Sequence, residues 1–467
     1  MIGLRLFTKS YLVPNDIKDL LKKVEVNGVS YWVNKDALML PNGGCLLFSG
    51  YERHHLGEYT MYDYIEDMFN DKSFTGKDLI SEALLWDGKY AVIYIAPDHS
   101  TTAFTDPMSG KLLYYDCISG SYSSRIQDLS GGTVDEVYRS EVAKWGYNTD
   151  DRTPWKNVKR ITPNCPVIHD EKCNKIWEQT QEAMFDLPVV KKPLRQRIQE
   201  NLYDLIKTIP EGTTDVCCLL SGGLDSSVIA YELLQIKNNK DGRHDLDGID
   251  LHFYTVVHGN PENSDDYPYV ELFKKQFGIK VDVLNYNMKN VSLVDSLKIN
   301  EVPVDLGSMV PSHLIYNELR NIYGPGAHIV VFEGDGSDGM FGGFKRILDY
   351  DSQKSDIMEE GPFYEAVRLG HAAEYFNIDL KCPFESLDLY QYAWQLPLEK
   401  RTLKYVLKEA YRGYLPDEII ERKKFPLKNP QVAGDREAYK MKLLRLFYTH
   451  KEEILDFSAN EYWKYDN

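Results

Sequence analysis

Residues 216–227 read VCCLLSGGLDSS. The first five are a continuous apolar run. Unbroken apolarity fits a strand buried on both faces of a parallel sheet, since a strand with one wet face would alternate. Ser221 to Asp225 then form a loop, and Val228, Ile229, Leu233 and Leu234 mark the buried stripe of a helix over 226–236. Such a strand–loop–helix unit leaves free backbone N–H groups and the positive end of the helix dipole at the loop, where they favour an anion. Gly222 and Gly223 let the backbone approach a phosphate closely. The hydroxyls of Ser221, Ser226 and Ser227 add donors. No Lys follows the glycines, so the loop is not a Walker A motif. Asp225 would repel phosphate unless a cation lies between them, and Mg²⁺ held by carboxylates and phosphate oxygens removes that conflict.

Working outward, the alternation continues. Strands are expected at 251–257, 280–284 and 328–332, and helices at about 267–277 and 312–323. This predicts an α/β class with a doubly wound parallel sheet, followed by a helical extension beyond residue 360. Upstream, Leu194, Ile198, Leu202, Leu205 and Ile206 share one helical face. Residues 162–193, punctuated by Pro163, Pro166, Pro188 and Pro193, read as a linker. The front of the chain is β-rich. Strands are expected at 44–48 and 111–115, a hairpin at 84–96 with its turn at Asp87-Gly88, and a helix within 57–70.

A second loop supports the first. Residues 332–345 read FEGDGSDGMFGGFK, five glycines and three acids directly after an expected strand. Ligands in such sheets bind at the carboxyl ends of the strands. The two loops should therefore face each other, with Asp225 and Asp338 sharing the metal and Gly334 letting an adenosine lie against the chain.

Composition excludes several classes. The formal net charge is −17 over 467 residues, with no long Lys/Arg block, so backbone-led nucleic-acid binding is not expected. Seven cysteines without a CxxC pair suggest neither a disulfide framework nor a zinc knuckle. The start of the sequence does not read as a signal peptide, and no apolar run approaches a bilayer span. A cytoplasmic protein with no membrane partner is the expectation.

The motifs SGGLDSS (221–227), GDGSDGMFGGF (334–344), Pro383-Phe384 and LPDEIIERKKFP (415–426) together resemble the synthetase domain of asparagine synthetases and β-lactam synthetases, which are N-type ATP pyrophosphatases. The resemblance runs from about residue 190 to about 430. A weaker one, carried by LWDGKYAVI (85–93), FTDPMSGKLLYY (104–115) and VKRITP (158–163), links the front of the chain to the family's glutaminase domain. It implies an α+β Ntn-hydrolase-like sandwich at 1–165, a linker at 166–193 and the ATP-pyrophosphatase domain at 194–467. A glutaminase of that type needs an N-terminal Cys, whereas this sequence begins Met1-Ile2-Gly3 and its first Cys is Cys45. Glutamine hydrolysis is therefore not expected. Gly339 and Asp335 also depart from the asparagine synthetase pattern, which carries an acid and a Glu there, so the substrate is left open.

The resemblance implies ATP and Mg²⁺ as cofactors and a two-step ligase that forms an acyl-adenylate and passes the acyl group to an amine. Lys424, in the Arg422-x-Lys424 motif, matches the family's catalytic lysine, with Lys423 as its neighbour candidate. Asp335 would take the amine's proton or position the amine, and Glu374 is a second candidate. Leu220 and Val256 would grip adenine or simply pack. Lys381 would touch pyrophosphate, and Asp265 is a weaker candidate there. Residues 349–361 are expected to form a lid. The expected partners are a small-molecule or peptide carboxylate and an amine, with a homodimer as the assembly considered. Two other readings stay open: a PP-loop enzyme modifying a nucleoside or tRNA, and a non-catalytic relative that binds nucleotide.

Overall fold

The computed structural model describes residues 3–455 apart from 10–12, 14–17, 35–36, 54–58, 72, 109, 130–131, 149, 164, 179–190, 239–244, 287–290, 305–308, 344–365 and 424–435. Among the described residues, twelve strands build the first half. They are β1 (Arg5–Phe7), β2 (Lys22–Val26), β3 (Val29–Val33), β4 (Leu38–Met39), β5 (Cys45–Glu52), β6 (Gly88–Ile95), β7 (Thr101–Thr105), β8 (Tyr114–Asp116), β9 (Tyr122–Ser123), β10 (Val158–Arg160), β11 (Val167–His169) and β12 (Lys175–Glu178). They form two antiparallel sheets, ordered β10-β8-β9-β1-β3-β2 and β12-β11-β7-β6-β5-β4.

Period-2 side-chain alternation stacks them. Ala91, Ile93 and Ile95 of β6 face Leu4, Leu6 and Val33 of the other sheet. Tyr90, Val92 and Tyr94 point the other way, onto Ile65 and Phe69 of the helix Met61–Phe69 and Leu79 of the helix Gly76–Ala83. Every residue of β6 is buried, Lys89 included.

The second half holds a five-stranded parallel sheet of β13 (Asp215–Leu219), β14 (Asp250–His258), β15 (Asp282–Tyr286), β16 (Ile329–Phe332) and β17 (Ile378–Lys381), ordered β15-β14-β13-β16-β17. Both faces are covered. Val216, Cys218, Val330 and Phe332 meet the helices Leu194–Lys207 and Leu224–Lys237. Cys217 and Val331 meet the helix Met309–Tyr323. From β13 the chain winds outward through β14 and β15, then returns to β16 on the other side. The loops after β13 and β16 therefore part at the switch point, the place where an open α/β sheet offers a crevice.

Three expectations need correction. The stretch expected as a linker from 166 begins with β11 and β12, which extend the first sandwich to Glu178 through pairing with β7. Asp87-Gly88 is not a hairpin turn. It joins a helix end to β6, and β6 pairs with β7 across residues 96–100. The fifth strand, β17, was not foreseen because its sequence, IDLK, is half charged. The expected lid, 349–361, lies outside the described residues.

The two halves meet through buried polar contacts. Lys89 Nζ lies 2.6 Å from Glu385 Oε2. Asp87 accepts from the Leu387 N–H at 2.9 Å. Glu301 accepts from Arg125 and, at 2.7 Å, from the Ile126 N–H. Tyr114 OH and His371 Nε2 are 3.1 Å apart.

Candidate active site

The loop after β13 is folded on its own hydroxyls. The Ser221 N–H donates to Ser226 Oγ at 3.1 Å, and the two hydroxyls lie 3.0 Å apart. Gly222 has φ +72°, and a Cβ there would lie 2.8 Å from the Asp266 carbonyl oxygen, so only glycine fits. The 14-residue helix that follows begins after Gly223 with no side-chain cap. Its first N–H groups thus face the loop uncapped, the condition that makes a helix start an anion site. Ser227 is fully buried, and its Oγ has no hydrogen-bond partner among the described residues.

The loop after β16 packs directly against this one. A Cβ on Gly334 would lie 2.8 Å from the Ser226 nitrogen and 3.0 Å from the Asp225 carbonyl carbon. This contact brings the two acids together. Ser337 Oγ donates to Asp225 Oδ1 at 2.7 Å. Lys404 Nζ pairs with Asp225 Oδ2 and lies 2.6 Å from Asp338 Oδ1. Two carboxylates from separate loops thus converge on one ammonium. Despite its burial, Lys404 is held above the ordinary lysine range by those two charges.

Leu403 (φ 53°) and Lys404 (φ 59°) are both left-handed. For non-glycine residues this costs about 1–2 kcal/mol each. It is sustained by hydrogen bonds from the Leu403 N–H to the Gly342 carbonyl (2.9 Å) and from the Lys404 N–H to the Phe341 carbonyl (2.8 Å). Strain of this kind gathers at functional sites.

Earlier in the same loop, Asp335 lies 3.7 Å from Arg368 Nη2, and Arg368 Nη1 donates to Ser312 Oγ at 2.7 Å. Glu333, at the end of β16, is buried and accepts from Tyr316 OH at 3.2 Å. Burial first, then the charge of Asp335, holds its carboxyl well above the usual range.

The structure brings together Ser221, Gly222, Gly223, Asp225, Ser226, Ser227, Gly334, Asp335 and Asp338 of the residues chosen from sequence. Leu220 is buried at the loop's entry, its N–H donating to the Tyr254 carbonyl at 2.8 Å, and Val256 is half-buried on β14. Arg422 pairs with Asp266 and stacks 4.6 Å from the Tyr269 ring centroid, two of the residues that a Cβ on Gly222 would meet. Lys423 is exposed next to it, Asp265 is exposed at the start of the neighbouring helix, and Lys424 lies outside the described residues.

Two choices are placed elsewhere. Glu374 sits in the seam between the halves, accepting from Ser124 Oγ at 2.7 Å and pairing with Arg5 at 3.5 Å. Lys381 is buried on β17, donating to Thr208 Oγ1 at 2.7 Å and pairing with Asp379 at 3.0 Å. Isolated charged residues carry no directional pattern, so sequence could not say which way these two face. Lys404, Arg368 and Glu333 were missed. Glu333 stood inside the acid-rich loop and was legible as a candidate; the other two had no local signal.

The donor set fits Mg²⁺. Carboxylates that already converge on a cation, next to an uncapped helix start, are the one or two protein ligands Mg²⁺ takes alongside phosphate oxygens and water.

A family model described as asparagine synthase matches residues 197–376 and 362–457. An asparagine synthetase (glutamine-hydrolyzing) of Mus musculus is 23% identical over 385 residues, covering 77% of this chain and 61% of that protein. Asparagine synthetase B of Escherichia coli is 23% identical over 301 residues, covering 57% of this chain and 52% of that protein. The chain thus spans about half to three-fifths of the length of these relatives. An NAD+ synthetase from Burkholderia pseudomallei covers 56% of this chain and 88% of its own at 14% identity, but its TM-score of 0.20 is too low to bear on the fold. The family-model match extends over more than half of the 467 residues, and the chain belongs to the asparagine synthase family.

Proposed function

We propose that the protein is an ATP-dependent, AMP-forming carbon–nitrogen ligase that activates a substrate carboxylate and passes the acyl group to an amine. One observation carries this: Asp225 and Asp338 converge on a single cation beside an uncapped helix start at the switch point of the sheet.

In the first step a carboxylate oxygen attacks the α-phosphorus of ATP, the bond to the β-phosphate oxygen breaks, and pyrophosphate leaves. The N–H groups at the start of the helix Leu224–Lys237 and the Ser227 hydroxyl would hold phosphate oxygens. Asp225 and Asp338 would hold Mg²⁺, whose chemistry is to neutralise charge building on the phosphates. In the second step the amine nitrogen attacks the acyl carbon, the bond to the AMP oxygen breaks, and the amine loses a proton. Asp335, held beside Arg368, is the base we assign to that proton. Lys424, the match to the family's catalytic lysine, would meet the developing charge.

We take residues 194–467 as the synthetase domain and the double sandwich before it as a glutaminase-type fold that does not hydrolyse glutamine. Cys45, the first cysteine of the sequence, is not set up as a nucleophile. It is fully buried, and burial pushes its thiol up to about 11. Glutamate release from glutamine by the purified protein would refute this. On this reading the amine arrives as ammonia or on a substrate molecule. No helix among the described residues is long and apolar enough to cross a membrane.

The test is ATP–pyrophosphate exchange, screened across amino acids and other carboxylates, with Asp225→Ala as control. The expected outcome is exchange that depends on one class of acid and vanishes in the control. Exchange undiminished in Asp225→Ala would refute the metal assignment.

A further inference from the structure

We propose that Lys404 is a built-in competitor for the metal: its ammonium takes the cation position between Asp225 and Asp338, and a divalent ion enters by exchange with it when a triphosphate is present to hold both cations. The proposal rests on the reading of these two carboxylates as the metal site.

Occupancy of the carboxylate oxygens carries it. Asp225 Oδ1 accepts from Ser337 and Oδ2 from Lys404, so a metal approaching Asp225 through Oδ2 meets the Lys404 ammonium at close range. Ser337 is fully buried and fixed at the start of its helix. Lys404 sits on a four-carbon stem and can withdraw. The same ammonium lies against Asp338, so its withdrawal takes the cation away from both acids at once.

The surroundings are shaped to this lysine. A Cβ on Gly343 would lie 2.4 Å from Lys404 Cε and 2.0 Å from Asp338 Oδ1. The left-handed backbone at Leu403 and Lys404 aims the side chain inward while Leu403 stays 57% exposed, so no apolar anchor holds this turn. Ion pairing supplies that anchoring.

Charge counting sets the order of events. Two carboxylates and one ammonium sum to −1. A divalent ion added alone would meet Lys404 at close range in a partly desolvated site, where like charges repel strongly. The triphosphate of ATP brings negative charge for the metal and the displaced ammonium together.

The test is Mn²⁺ titration without nucleotide, followed by the electron paramagnetic resonance of free Mn²⁺. It compares the full-length wild type with Lys404→Met, Lys404→Arg, Asp338→Asn and the double variant Lys404→Met/Asp338→Asn. The expectation is that Lys404→Met binds Mn²⁺ about tenfold or more tightly than wild type. Lys404→Arg should stay close to wild type, and the double variant should lose the gain. If Lys404→Met binds no more tightly while Asp338→Asn weakens binding, the competitor role is overturned and the metal site stands. If Asp338→Asn changes nothing in either background, the carboxylates are not the metal site, and the competitor role falls with it. Lys404→Gln serves in place of Lys404→Met should the latter fail to give a cooperative melt.

Discussion

Replacing Gly334 by Ala adds a single methyl group where the two acid-bearing loops touch. Its Cβ would lie 2.8 Å from the Ser226 nitrogen, 3.0 Å from the Asp225 carbonyl carbon and 3.1 Å from Asp225 Cβ. Two of these neighbours are backbone at the start of a buried helix and cannot swing aside. Relief to ordinary contact at about 3.5 Å requires the loops to part by about 0.5–1 Å. Overpacking of this size costs about 1–3 kcal/mol of stability. The larger effect is on geometry, because Asp225 and Asp338 come from opposite sides of that contact. A misplacement near 1 Å in a reacting constellation costs about 10²-fold in rate. The assay is exchange kcat/KM measured beside a thermal melt, with Gly326→Ala as control, since a Cβ there meets nothing within 4 Å. A Gly334→Ala protein that exchanges within about twofold of wild type would refute the claim that this contact sets the site.

Other perturbations probe the fold. Burial holds His313 at about 3 and His169 at about 4, so both are neutral in the native state and protonate on unfolding once the pH drops below about 6.5. The unfolded chain then binds more protons, and stability should fall as pH goes from 6.5 towards 4, by up to ~3 kcal/mol for each. Neither ring nitrogen of His313 has a hydrogen-bond partner among the described residues. His313→Leu should therefore hold or raise the melting temperature at pH 7.5 and flatten its fall at pH 5; an unchanged slope would count against this. Lys89→Met strands the buried Glu385 carboxyl and should cost about 3–5 kcal/mol in denaturant unfolding. Lys23→Met, which breaks an exposed pair, should cost under about 1 kcal/mol. Leu403→Gly removes left-handed strain from an exposed residue and should raise the melting temperature, corresponding to about 1 kcal/mol.

Sequence revealed the parallel sheet well because its central strands are buried on both faces. The runs VCCL and IVVF are apolar without interruption, and each leads straight into its glycine loop. β17 was hidden because Asp379 and Lys381 neutralise each other inside the fold, a pairing that no local pattern announces. The linker expectation failed for a related reason: β12 lies at a sheet edge, and its KIWE sequence carries the polar residues of an exposed strand. The loop glycines and aspartates were legible because phosphate binding constrains residue type and spacing together. Lys404 was not, since its place depends on left-handed backbone at Leu403 and at itself and on a distant upstream loop that carries Asp338. Glu374 was chosen for its place ahead of the Pro383-Phe384 motif and Lys381 by analogy with an arginine of the family; in the fold Glu374 binds Ser124 across the seam and Lys381 lies 4.6 Å from the Tyr51 ring centroid.

The central claim is that the acid attacks the α-phosphorus of ATP, and oxygen transfer tests it directly. A substrate acid labelled with ¹⁸O in its carboxylate is turned over with ATP and the amine, and the phosphate-bearing products are weighed by mass spectrometry. Adenylation predicts AMP and pyrophosphate, with one ¹⁸O from the acid in the AMP phosphate. Label appearing in inorganic phosphate together with ADP would mean attack at the γ-phosphorus, and would contradict the role assigned to Asp225, Asp338 and the loop at Ser221.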